Sequence, residues 1–422
     1  MSGMGTPARL VFLLIACAVV LEGFDLQVVG FAAPGMLADW SLPKQALGLA
    51  LSASLLGMTF GSGGGGWLGD RFGRRPLLIY CLAAFGLATL ATASAQSPAP
   101  VAILRLIAGF GFGAALANAM ALTAEWTVPE RVTQIVGYMI IGVPVGGMTG
   151  ALICSWMIPR FGWRSAFIVG GVLPMLLALA MLFWLKESGR FVATRQRQPD
   201  RPTPGSQPLR MLLSRPYRRA TIALAAAFFS NLAVSYAFFN WIPVMLSAQG
   251  LSTASAIRGS LYFNLSGAIA AFLGLRLFGA RGNRPFLLGY GLLGIVVNAC
   301  LAIALYRATP HVGPPDAATL LLGLSLAGVA TEGLQTGLYG FAASVYPTAC
   351  RSSGIGVAGT FGRAGGILSA YFGGTLLSLG AGASVFLVTI AMLFIVSVGA
   401  VLGAGSSQEC IADTVPAKPP AQ

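Results

Sequence analysis

Apolar stretches long enough to cross a bilayer recur along the chain, separated by short polar segments rich in Arg, Pro and Gly. A membrane-spanning helix needs about 20 such residues. The pattern predicts twelve spans, at approximately 10–37, 46–69, 76–95, 99–124, 132–156, 163–185, 218–247, 258–279, 285–306, 317–343, 354–379 and 383–404. The expected fold class is therefore an all-α membrane protein. One polar segment is longer than the others. Residues 186–217, rich in Arg, Pro and Gln, divide six spans from six and read as a cytoplasmic linker. The expected organisation is a six-helix bundle over 1–185, the linker over 186–217, a second six-helix bundle over 218–404 and a cytoplasmic tail over 405–422. A 6+6 chain of this kind suggests two pseudo-symmetric repeats related by an axis along the membrane normal. The first span is too long, and too interrupted by acids, for a cleaved signal peptide.

Composition agrees with this class. The chain is 56% hydrophobic and 9% charged, against about 25% charged in soluble domains. Its 56 glycines suit closely packed membrane helices. The net charge of +14 raises the question of nucleic acid. Its distribution answers it: with the N-terminus inside, most of the 26 Lys and Arg fall in or beside inside loops. That asymmetry is topogenic and places both termini in the cytoplasm. The six cysteines have no metal-binding spacing, and the lone His311 falls in an outside loop. Neither a metal site, a catalytic triad nor a cofactor is expected, and the chain is expected to act as a monomer.

Candidate chemistry lies in the polar residues inside the spans. Glu22 and Asp25 interrupt the apolar run Leu10–Met36, where a carboxylate at the bilayer centre costs about 2.5–3.5 kcal/mol. Three residues apart, they share a helical face with Cβ atoms roughly 5–6 Å apart. They are expected to point into one polar interior and to titrate as a coupled pair in a proton relay. Arg105 opens the fourth span. It needs an acidic partner, Glu22 or Asp25, or an anionic substrate, unless it snorkels to the outer interface. Arg363, near the centre of span eleven, suits bidentate recognition of a carboxylate; a structural ion pair with Glu332 is the other reading. Glu332, Gln335 and Tyr339 share a face of span ten. Span seven brings Phe228, Phe229, Asn231, Tyr236, Phe238, Phe239, Asn240 and Trp241, which suit an aromatic ligand. Of the polar residues there and in span ten, Asn240 and Gln335 most need a partner. Arg351, at a cytoplasmic helix end, suits topology and gating. An internal echo also appears: Gly73, Arg75 and Pro76 match Gly282, Arg284 and Pro285, with Gly279 standing where the first copy has Asp70.

The run Gly66-Trp-Leu-Gly-Asp70-Arg71-Phe-Gly73-Arg74-Arg75 resembles the signature of the major facilitator superfamily between its second and third helices. Arg105-Leu-Ile-Ala-Gly109-Phe-Gly111-Phe-Gly113 resembles a second motif of that superfamily. Gly142-Val-Pro144-Val-Gly146-Gly147 resembles part of an antiporter motif, its Gly-Pro order interrupted by Val143. Glu22-Gly-Phe-Asp25 resembles the Asp-Gly-Phe/Tyr-Asp motif of the aromatic acid:proton symporters, with Glu for the first Asp. Similar marks follow in Asn118–Glu125, Pro129–Arg131, Phe161–Arg164, Lys186–Phe191, Tyr346–Arg351 and Gly362–Gly365. The acid usual near position 279 is absent. The resemblance implies import of an aromatic or related carboxylate by proton symport through alternating access in the inner (plasma) membrane, and no enzymatic activity. It implies proton coupling by Glu22, Asp25 and Arg105. Substrate contact would fall to Arg363, Glu332, Gln335, Tyr339, Asn240 and Asn118. Gating would fall to Gly66, Asp70, Arg71, Gly73, Arg74, Arg75, Glu125 and Arg351. An efflux antiporter of the same fold and a sensor that binds without net transport remain as alternatives.

Overall fold

The computed structural model describes residues 6–127, 132–187, 211–278, 284–307, 316–346 and 350–404. Pro129–Arg131, most of the linker, Gly279–Arg281, His311 and the tail, all weighed above, lie outside the described residues. The Asp70 side chain also lies outside the description, although its backbone closes a helix.

Among the described residues the chain forms twelve long helices: α1 (Thr6–Asp39), α2 (Gly48–Phe72), α3 (Arg74–Thr92), α4 (Pro98–Trp126), α5 (Val132–Ile140 and Gly142–Phe161), α6 (Arg164–Trp184), α7 (Arg215–Ser247), α8 (Thr253–Phe278), α9 (Arg284–Tyr306), α10 (Ala317–Val345), α11 (Arg351–Ser378) and α12 (Gly382–Gly403). Ten of them are long and apolar enough to cross a membrane. The other two, α8 and α11, are of similar length, 26 and 28 residues, but carry more polar side chains, among them Asn264 and Arg363. Each predicted span coincides with one helix. The fifth was drawn as a single element ending at 156; it runs on to Phe161 and is broken at Ile141. Pro144 explains the break, because it has no N–H to return to the Ile140 carbonyl one turn earlier.

Close packing follows from small residues at four-residue spacing. Gly57, Gly61, Gly65 and Gly69 lie along one stripe of α2. A Cβ at these positions would strike, in turn, Leu106, Phe110, Ala114 and Asn118, which have the same spacing on α4. Gly109 and Gly113 reciprocate against the carbonyls of Ser54 and Met58. The two backbones are thus in direct contact, which is how helices associate where lipid supplies no hydrophobic drive. Gly61→Leu is expected to part α2 from α4. The detergent-solubilised variant should lose about 1–3 kcal/mol of stability or more, read as a lowered thermal midpoint by fluorescence-monitored size exclusion. An unchanged midpoint would refute this packing.

The internal echo has a structural counterpart. Arg75, after α2, donates from Nε to the Leu185 carbonyl at 2.6 Å and from Nη2 to the Leu182 carbonyl at 2.7 Å, at the end of α6. Arg284, after α8, donates to the carbonyls of Val401, at 2.9 Å from Nη2, and Leu402, at the end of α12. Each arginine caps the open carbonyls of the sixth helix counted from its own half's start. Between the first six helices and the last six, the main contacts are α1 with α7, α2 with α11 and α5 with α8. Adding six to every number, modulo twelve, maps this set onto itself.

Candidate functional site

Those three contacts surround a cavity of about 240 Å³ near the middle of the helices. Its two walls differ. From α1, α2, α4 and α5 come Val19, Leu26, Met58, Leu116, Met120, Ile140 and Val143, with Glu22 as the one acid. From α7, α10 and α11 come Ser235, Tyr236, Phe239, Glu332, Gln335, Tyr339 and Arg363. An aliphatic slab therefore faces a polar, aromatic wall. This suits a flat apolar body with polar substituents on one edge. Arg363 donates from Nη1 to Ser62 Oγ of α2 at 2.9 Å, so the guanidinium bridges the halves.

The cavity is shut at one end. A Cβ on Gly48 at the start of α2 would strike the Tyr371 carbonyl of α11. Lys44 Nζ donates to the Leu377 carbonyl at 3.1 Å, and Ser378 Oγ donates to Gln45 Oε1 at 2.7 Å. Deeper in, Gln27 of α1 and Asn264 of α8 exchange two amide hydrogen bonds, 3.0 and 2.8 Å, with both side chains buried. Gly147 of α5 makes room for them, since a Cβ there would meet the Gln27 amide. Toward the other end α2 and α11 diverge. One turn past the Ser62–Arg363 contact, Gly66 on α2 and Gly359 on α11 have nothing within 4 Å of a built Cβ.

Glu22 and Asp25 part company. Glu22 lines the cavity, and its Oε2 is buried without a hydrogen-bond partner. Asp25 instead turns toward α3 and α4. Its Oδ1 receives Arg105 Nη1 at 2.7 Å and Thr89 Oγ1 at 3.2 Å, and Arg105 Nη2 reaches Thr89 Oγ1 at 2.6 Å. Three residues along a helix rotate a side chain by about 60°, and that rotation divides two acids expected to share one interior. Arg105 does not snorkel; it is 0% exposed and lies 5.6 Å over the Phe167 ring.

Glu332, Gln335 and Tyr339 meet Arg363 at the cavity as their shared face predicts. Asn118 and Asn240, also expected at the ligand, are not among the residues that line it. Asn118 Nδ2 donates to the carbonyls of Gly65 at 3.0 Å and Ala114 at 2.8 Å, joining α4 to α2. Asn240 Nδ2 returns to the Tyr236 carbonyl of its own helix at 2.7 Å. Both amides satisfy backbone carbonyls inside hydrocarbon, a need that sequence position alone does not separate from ligand binding.

At the α2–α3 turn Gly73 has φ +104°, a conformation L side chains rarely adopt. Arg74 forms a 2.6 Å salt bridge with Glu125 of α4, and the Arg75 N–H donates to Glu187 at 3.1 Å. Arg71 lies over Trp67 and Phe72, and Gly66 stands at the α2–α11 divergence. Arg351 donates to the Tyr346 carbonyl at 3.3 Å. Sequence reasoning passed over Ser62, Thr89 and the Gln27–Asn264 pair. Polar side chains within apolar spans were the available signal for each.

Comparison with known proteins agrees with this architecture. The sequence profile of the Major Facilitator Superfamily matches residues 15–370. The chain is 33% identical over 398 residues to a gallate transporter of Pseudomonas putida, covering 88% of this chain and 86% of that protein. It is 34% identical over 381 residues to a 3-(3-hydroxy-phenyl)propionate transporter of Escherichia coli, covering 89% of each. The crystal structure of a D-xylose-proton symporter shares the fold, with a TM-score of 0.75 at 16% identity, over 94% of this chain and 97% of that one.

Proposed function

The chain belongs to the major facilitator superfamily, and from that premise we propose that it imports an aromatic carboxylate together with protons by alternating access. The observation that carries the reading is one central cavity holding Arg363, Glu22 and Glu332 between an aliphatic wall and a polar, aromatic one. Charge balance supplies the coupling. A buried cation needs a counter-ion, and an unpaired buried charge is costly. In the empty site Glu22 and Glu332 share the cavity with Arg363 and balance its charge without a direct ion pair. A substrate carboxylate that binds Arg363 leaves a glutamate's charge uncompensated until a proton neutralises it. Substrate and proton therefore enter together, with Glu22 as the proton carrier and Asp25 as the counter-ion that orients Arg105. The relatives' names, a gallate transporter and a hydroxyphenylpropionate transporter, support an aromatic acid as cargo.

The same reading gives two six-helix bundles, 1–185 and 218–404, joined by a cytoplasmic linker over 186–217 and followed by a cytoplasmic tail over 405–422. They rock about the site as a monomer in the inner membrane, both termini cytoplasmic, with the proton gradient in place of any cofactor. The self-mapping contacts α1–α7, α2–α11 and α5–α8 support this arrangement. With that orientation the shut end at Gly48–Tyr371 faces outward and the α2–α11 divergence faces the cytoplasm. The polar turn at Gly73–Arg75 and the Arg74–Glu125 bridge then lie at the inner gate.

Uptake of radiolabelled aromatic carboxylates into proteoliposomes, with an inward proton gradient and an uncoupler control, tests the proposal. Accumulation abolished by uncoupler is expected; no accumulation of any aromatic acid by folded, inserted protein overturns it. Glu22→Gln is expected to abolish gradient-driven accumulation while keeping exchange of labelled for unlabelled substrate at equal pH. A Glu22→Gln protein that still accumulates substrate against its gradient would remove Glu22 from proton coupling.

A further inference from the structure

Gln335 has a buried donor that charge balance leaves without a task. Asn231 of α7 donates from Nδ2 to Gln335 Oε1 at 2.6 Å and to the Thr331 carbonyl at 3.4 Å. A carbonyl only accepts, so Asn231 presents its NH2 group to α10 and Gln335 answers with its oxygen. The Gln335 NH2 group is thereby turned away from Asn231, and Nε2 is buried with no hydrogen-bond partner. Gln335 itself is 9% exposed and lines the cavity, one turn after Glu332 and one turn before Tyr339. On the protein the Tyr339 hydroxyl, one turn on, interacts with the Gln335 amide, and a ligand oxygen in the cavity completes the bonding of this buried donor. The facing wall of Val19, Leu116 and Met120 offers no acceptor.

We propose that Gln335, locked by Asn231, is a specificity-determining residue that reads an oxygen on the ring of the transported acid, so that ring-hydroxylated aromatic carboxylates are preferred over unsubstituted ones. The inference rests on the aromatic-carboxylate reading above. A phenolic hydroxyl both accepts and donates. It accepts from Gln335 Nε2 and donates to a carboxyl oxygen of Glu332, while the substrate carboxylate occupies Arg363. An unsubstituted ring leaves the amide without that bond, and a site built to bond a hydroxyl rejects the analogue without it. Asn231 does not line the cavity and acts as a positioning residue. Without it the Gln335 amide is free to turn over and present oxygen instead.

The test is competition against labelled substrate uptake by benzoate and by the three monohydroxybenzoates, in wild type, Gln335→Met, Gln335→Leu, Asn231→Leu and Asn231→Ser. Wild type is expected to favour at least one hydroxylated isomer over benzoate by about tenfold or more, the worth of one hydrogen bond of about 1.4 kcal/mol. Gln335→Met, which keeps the side-chain volume, is expected to bring that ratio close to one, with the hydroxylated acids losing more affinity than benzoate. Asn231→Leu should narrow the ratio, and Asn231→Ser, which keeps a donor, should narrow it less. A ratio unchanged in both Gln335 variants overturns the inference, as does an equal loss for benzoate and the hydroxylated acids, which would mark Gln335 as shaping the site alone. A wild type that takes up aromatic acids without preference overturns this inference but not the transport reading. A wild type that takes up none overturns both.

Discussion

Arg363→Ala is expected to lower the affinity for the transported carboxylate by about 100-fold or more, equivalent to roughly 3 kcal/mol. Arg363 is the cavity's only cation among the described residues, and the acids Glu22 and Glu332 line the same space. Without it a substrate carboxylate would meet two glutamates and no positive charge. Arg363→Lys keeps the charge but loses the planar fork that binds a carboxylate through two parallel bonds. It should fall between wild type and alanine. The change also removes the 2.9 Å bond to Ser62, a contact between α2 and α11. Ser62→Ala isolates that part and is expected to alter turnover more than affinity. Equilibrium binding of labelled substrate to purified protein, measured beside uptake, separates the two effects. An alanine variant that binds within roughly threefold of wild type would place the carboxylate elsewhere.

The place of this residue in a polar interior was legible before any fold was known. An arginine in the middle of an apolar run has few explanations, and Glu332, Gln335 and Tyr339 share a face by helical arithmetic alone. The twelve helices were legible for the same reason, ten of them by an apolar length sufficient to cross a membrane. Even the matched arginines proved readable: Arg75 and Arg284 were aligned by their neighbours Gly73, Gly282, Pro76 and Pro285, and they cap corresponding helix ends. What stayed hidden depends on rotation and on distant partners. Glu22 and Asp25 are close in sequence, yet about 60° of helix turn sends one to the cavity and the other to Arg105. Gln27 and Asn264 are 237 residues apart, and only the assembled halves bring their amides together. The backbone carbonyls that Asn118 and Asn240 satisfy come into view only with the fold.

On the alternating-access reading proposed above, the same division separates the parts that move from those that hold. The glycine stripe of α2 against α4 and the Asp25–Arg105–Thr89 cluster lie within the first six helices, where nothing needs to slide during turnover. Ser62–Arg363, Gln27–Asn264 and Lys44–Leu377 cross between the two sets of six. They are neutral or single hydrogen bonds, not full ion pairs. Each such bond contributes about 0.5–1.5 kcal/mol net, small enough to break in every cycle. A buried ion pair at the same interface would hold one state too firmly.

Asp25→Asn is accordingly expected to act on stability as much as on transport. It leaves Arg105, 0% exposed, without its acidic partner. Removing one member of a buried pair costs about 3–5 kcal/mol, and the thermal midpoint of the purified protein should fall by several degrees. Arg105→Gln alone should cost a comparable amount, since Asp25 then remains buried and uncompensated. Asp25→Asn combined with Arg105→Gln removes both charges and lets two amides bond each other and Thr89. The double variant should regain most of the lost stability, giving a coupling energy of about 1–3 kcal/mol in the double-mutant cycle. Transport is not expected to return with it if the pair also sets the pose of α1, which carries Glu22 three residues earlier. A double variant no more stable than either single change would mean that the two side chains do not compensate each other. A single Asp25→Asn as stable as wild type would mean that Arg105 finds another anion, and Glu22 is then the acid to test, because α1 carries no other carboxylate inside the membrane.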